Sequence, residues 1–123
     1  MRLNNPFSNE RPIYLQIVDR IKVKIITKEY RPGDKLPSVR EMASLMQVNP
    51  NTMQRAFSIL ESEELVRSHR TSGRYVDLDE EKIAKLRKDL AREQTTAFLG
   101  SMEQMGFTMD EILEELEKLR EEK

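Results

Sequence analysis

Residues 38–64 read SVREMASLMQVNPNTMQRAFSILESEE, and this stretch decides the fold. Ser38 is placed to cap a helix, and Glu41 follows at the spacing that completes a capping box. Met42, Leu45 and Met46 then supply one apolar face. Val48–Asn49–Pro50 interrupts the helix at once, and Asn49 as N-cap with Pro50 at the first helical position opens another. The second helix carries Met53, Ala56, Phe57 and Leu60 on its apolar side and ends near Glu64. Two helices joined by so short a turn, the second opened by polar residues, form a helix-turn-helix pattern.

On the N-terminal side, Ile13, Ile17, Ile21 and Ile25 recur at every fourth position, which predicts a helix starting near Pro12. Tyr30 to Asp34 is a turn. On the C-terminal side, Leu65 and Val66 with Tyr75 and Val76 predict a β-hairpin around Thr71–Ser72–Gly73, with Arg70 and Arg74 at its tip. Asp79 starts a long helical run marked by Ile83, Leu86, Leu90, Phe98, Met102 and Met105. Gly106 ends it, and Thr108 with Glu111 opens a last helix striped by Ile112, Leu113, Leu116 and Leu119. The fold class expected is mainly α with one small hairpin. An irregular arm covers residues 1–10, a winged helix-turn-helix domain 11–77, and a two-helix dimerisation region 78–123.

Charge divides along the same line. The 123 residues carry a formal net charge of -1, but residues 1–76 hold 13 basic and 8 acidic side chains, and residues 77–123 hold 8 and 14. A basic half joined to an acidic half suggests a polyanion-facing module and another facing elsewhere. The chain has no cysteine, hence no disulfide, thiol nucleophile or Cys-based zinc site. The start MRLNNPFSNERP has no apolar h-region, and no apolar run approaches the roughly 20 residues of a membrane span. A cytoplasmic protein without a membrane partner is expected.

Catalytic constellations are missing from the sequence. His69 is the only histidine, without a second ligand at metal spacing, so it is assigned no chemistry and no metal is expected. The four glycines are scattered and form no phosphate loop, so no cofactor is expected either. Met102, Met105 and Met109 could line a ligand pocket, but helix–helix packing is the default for such a stripe.

PIYLQIVDRI, PGDKLPSVREMA, VNPNTMQRAFSILESEEL and GRYV, in this order and spacing, resemble the successive blocks of the GntR-type bacterial transcription regulators over roughly residues 11–76. The VNPNT-x-QRA form with the short tail resembles the YtrA-type subfamily. Two departures stand out: Thr71 and Arg74 occupy a wing that in the family usually reads Gly-x-Gly-Thr-Phe-Val, and Glu63–Glu64 replaces a common Glu-Gly. The resemblance implies a dimeric repressor-type regulator, non-enzymatic, acting on a palindromic operator in double-stranded DNA; it names no small-molecule effector. It also implies that Arg40 contacts DNA early in the second helix.

The side-chain chemistry agrees with that implication. Asn49, Asn51, Thr52, Gln54 and Arg55 open the recognition helix, where Asn and Gln can pair with adenine and Arg with guanine. Lys35, Ser38, Arg70, Thr71, Gly73 and Arg74 are placed to meet phosphates or a groove edge. Asn49 is equally readable as a cap, and packing is the lesser reading of Thr52. Each wing arginine taken singly reads as a solvated charge, but their place on a hairpin tip beside a helix-turn-helix favours binding. The dimerisation set is Leu86, Leu90, Phe98, Met102, Met105, Ile112, Leu116 and Leu119, stripes too large for a short tail to bury on itself. The rival readings are a winged helix used as a protein–protein module and, less favoured for want of a catalytic set, an enzyme.

Overall fold

The computed structural model describes residues 7–123, so the first six residues of the expected arm lie outside it. The isoleucine stripe forms α1 (Ile13–Ile26), with Ile17, Ile21 and Ile25 wholly buried. Pro12 stands just before the first turn, its carbonyl accepting from the Leu15 and Gln16 amides. The end of the arm is tied down: the Gln16 side chain bonds the Ser8 amide and carbonyl, and Phe7 packs against the core.

The capping box at Ser38 starts α2 (Val39–Met46), and Asn49 with Pro50 starts α3 (Pro50–Ser62). Both helices end in Schellman turns without glycine. Gln47 takes φ 56° while the Val48 amide reaches back to Ala43, and Glu64 takes φ 61° while the Leu65 amide reaches Leu60. Glu64 thus adopts the left-handed conformation that a glycine would occupy without strain. Leu45 is a correction to the sequence reading: it is 71% exposed. In this short helix Met42 and Ala43 define the inward direction, and a residue two positions past Ala43 is rotated about 200° away from it.

Strands β1 (Val66–His69) and β2 (Gly73–Val76) pair antiparallel, Val66 opposite Val76 and His69 opposite Gly73. The segment before α2 joins them: Lys35 bridges Tyr75, the Leu36 amide donates to Arg74, and the Val76 amide donates to Asp34. Met53, Ala56, Phe57 and Leu60 of α3 meet α1, α2, Leu36, Leu65, Val66 and Val76 in one core. Burying each large side chain there is worth roughly 1.5–3 kcal/mol.

Two helices follow, α4 (Glu80–Gln104) and α5 (Met109–Glu122). The chain divides into two compact units, the first ending at Leu86 and the second running Arg87–Lys123. The sequence puts the boundary after Asp77; the first unit extends further because Ile83 is buried in its core and Leu86 packs against it. In the second unit, Gly106 at φ 88° closes α4 with a Schellman turn, and Thr108 with Glu111 opens α5 as a capping box. Ile112 is buried within the chain, whereas Phe98, Met105, Met109, Leu113, Leu116 and Leu119 are exposed. Leu90 and Met102 are half-buried. Among the described residues no helix is long and apolar enough to cross a membrane.

Candidate nucleic-acid interface

The first turn of α2 is fixed by two reciprocal bonds. The Ser38 hydroxyl accepts from the Glu41 amide and the Glu41 carboxylate accepts from the Ser38 amide, each at 3.1 Å. The Ser38 backbone and side-chain bonds hold the Glu41 pKa below its ordinary value, with Lys35 adding a smaller pull. This turn forms one wall of a cleft of about 470 Å³. Lys35, Ser38, Arg40, Gln54, Gly73 and Arg74 all line it, so six residues singled out in the sequence converge from the segment before α2, α2 itself, α3 and the wing. Gly73 sits at φ 112°, a backbone conformation that favours glycine; a Cβ there would come within 3.2 Å of Lys35 Cε, a contact the flexible lysine could relieve.

Other predicted residues lie outside that lining. Asn49 is a cap, its side-chain oxygen accepting from the Asn51 amide at 2.7 Å. Asn51 and Arg55 are exposed on the side of α3 opposite Met53, Ala56 and Phe57, and Thr52 is half-buried on its flank. Arg70 and Thr71 are exposed at the wing tip. Arg74 is less available than its position implies, because its guanidinium is ion-paired with Glu61 and lies 5.2 Å from the Phe57 ring centroid.

Two contacts escaped sequence reasoning. The Arg55 guanidinium sits over the Tyr14 ring, 3.8 Å from its centroid. The buried carboxylate of Asp77, 2% exposed, accepts from Arg67 at 2.7 Å and pairs with Lys82 at 3.1 Å. Burial alone would raise the Asp77 pKa, but bonds from Lys82, the Asp79 amide and Arg67 outweigh it and hold the carboxyl below its ordinary value. Neither contact has a local sequence signal. His69 meets Tyr75 edge-to-face at 4.8 Å, and among the described residues no cluster of three or more His, Cys, Asp or Glu could hold a metal ion.

Residues 13–76, from the first turn of α1 to the end of the wing, match the family model described as bacterial regulatory proteins, gntR family. The chain belongs to the GntR family. This GntR-family chain is similar over 119 residues, at 41% identity, to YhcF, an uncharacterized HTH-type transcriptional regulator of Bacillus subtilis, covering 97% of this chain and 98% of that one. It is 43% identical over 65 residues to the transcriptional repressor YtrA of the same organism, covering 53% of this chain and 50% of YtrA. A solved GntR-family regulator from Listeria monocytogenes superposes with a TM-score of 0.83 at 39% identity, covering 91% of this chain and 98% of that one. The GntR-family chain is accordingly a transcriptional regulator with a DNA-binding winged helix, and its relatives belong to a non-enzymatic class.

Proposed function

We propose that the regulator binds a palindromic operator as a homodimer and represses by occupying it, without catalysing a reaction. The observation that carries this reading is the convergence of Lys35, Ser38, Arg40, Gln54, Gly73 and Arg74 on one cleft beside the polar face of α3. A phosphate suits that cleft: Lys35 and Arg40 offer charge, and the Val39 and Arg40 amides of the first turn of α2 lie outside the capping box that engages those of Ser38 and Glu41. Asn51, Thr52, Gln54 and Arg55 are then the base-reading set in the major groove, and Arg70 and Thr71 extend the footprint along the backbone. The exposed face of α3 offers no large apolar anchor for a protein partner, which disfavours a protein–protein role.

Residues 78–123 supply the dimer contact. The row formed by Phe98, Met105, Leu113, Leu116 and Leu119, between 39% and 64% exposed, suits a second copy of itself. Leu86, packed on the first unit's core, and the buried Ile112 are not part of that row; the half-buried Leu90 and Met102 accompany it. Two recognition helices would enter successive major grooves roughly 34 Å apart. The repressor named among the relatives supports repression, and such a regulator acts on DNA in the cytoplasm. Duplexes selected by the full chain from a random pool provide the test. Inverted repeats are expected, with single half-sites bound much more weakly; unrelated fragments bound without preference would reject the reading.

A further inference from the structure

Arg55 and Arg74 are held in opposite ways. Glu61 takes both charge and an N–H bond from Arg74. Arg55 instead lies over the Tyr14 ring, and among the described residues no acceptor takes a hydrogen bond from it. A cation–π contact engages the face of the guanidinium, whereas its donors radiate in its plane. Tyr14 itself is half-buried in the first turn of α1, just ahead of the wholly buried Ile17, and α1 packs on α3. The ring is therefore a half-buried platform, carried on a helix whose next turn is rooted in the core, beneath an exposed arginine.

We propose that Tyr14 is a positioning residue for DNA reading: its ring holds the Arg55 guanidinium extended from α3 with the donor edge free for the O6 and N7 atoms of a guanine. The inference rests on the reading of α3 as the base-contacting helix. A mobile arginine must give up rotamer freedom to make a bidentate contact, and one already stacked has given up much of it. A phosphate, a diffuse target met from many rotamers, gains little from the same constraint. Tyr14 should therefore act on base preference and leave sequence-independent binding alone.

The test uses full-length Tyr14→Leu, Tyr14→Phe, Arg55→Ala and the Tyr14→Leu/Arg55→Ala double variant. Each is titrated against duplexes carrying every base at each position of the site selected by the unaltered chain, and against random duplex. Tyr14→Leu should lower the preference for guanine at one position by about 2–5-fold, the loss expected of an exposed cation–π contact. Affinity for random duplex and its salt dependence should hold. Tyr14→Phe, which keeps the ring, should keep the preference, and Tyr14→Leu should add nothing once Arg55 is alanine. An unchanged preference in Tyr14→Leu, or equal weakening on all duplexes with a lower melting temperature, would overturn the proposal in favour of simple packing. If Arg55→Ala alone kept the base preference, the proposal would fall with the assignment of Arg55 as a reader, and that single variant would identify the cause.

Discussion

Arg74 on β2 is ion-paired with Glu61 on α3, so a cation of the wing is already neutralised within the fold. The pair sets the Arg74 guanidinium near the Phe57 ring and leaves Arg70 at the exposed hairpin tip, with no ion pair among the described residues.

Salt dependence should separate the two arginines. Arg70→Ala is expected to reduce the slope of log affinity against log salt by about 0.9 per bound subunit, the contribution of one phosphate contact. Arg74→Ala should leave the slope unchanged, whereas Glu61→Gln should steepen it by a similar amount by releasing Arg74. Anisotropy titrations on random duplex at several salt concentrations would show this, and a shallower slope in Arg74→Ala alone would contradict it.

Glu64 pays a conformational penalty at φ 61°. Its backbone carbonyl accepts from Lys82, a bond that glycine would keep, and the carboxylate it would lose is 79% exposed. Glu64→Gly should stabilise the first unit by about 1 kcal/mol. A higher urea midpoint at constant m-value is the expected reading; a lower midpoint would mean that the Lys82 pair outweighs the strain.

Asp77 sets an acid dependence with a definite sign. Because its folded pKa lies below the ordinary value, its contribution is fully present above the ordinary carboxylate range and is lost as pH falls through that range toward the depressed folded value. The same pairing, chiefly the Asp77 hydrogen bond, raises the pKa of Lys82, so the alkaline loss comes only as pH rises through that raised value. Asp77→Asn should be less stable than the unaltered chain at neutral pH, with the gap closing under acid conditions. Denaturant midpoints measured across pH test this, and a gap that stayed constant into acid would refute it.

The two units should respond separately to substitution. Ile83→Ala removes a buried side chain from the first unit's core and should cost about 2–4 kcal/mol without changing oligomeric mass. Leu116→Glu with Leu119→Glu should halve the mass measured by light scattering and leave folding of the first unit intact. A dimer that survived both charges would require a contact elsewhere.

What could be read in the sequence is what local chemistry decides. The two capping boxes, Ser38–Glu41 and Thr108–Glu111, depend on residues three apart, and the isoleucine stripe of α1 on a fixed helical period. The wing contact of Lys35 with Tyr75 and the Arg74–Glu61 pair depend on how distant elements register, which no local pattern encodes. Ile112 shows the limit from another side: a periodic apolar stripe does not say whether its partner lies in the same chain or another, and here the chain buries it. Ser38 and Arg40 were legible as exposed because they open a helix, whereas their convergence with Lys35, Gln54, Gly73 and Arg74 on one cleft depends on how α2, α3 and the wing pack. Tyr14 was invisible because an aromatic residue in a first turn reads as packing until its neighbour is known.

The bridge between Lys35 and Tyr75 spans the whole of α2, α3 and β1. Hairpin β1–β2 closes over a short loop within microseconds, but its inner edge has no partner until the segment before α2 has crossed the assembled helices. The wing is therefore expected to complete its contacts after the rate-limiting step of folding and to be among the first parts released. A duplex that grips the wing would then lengthen the lifetime of the folded module while leaving its refolding rate where it was.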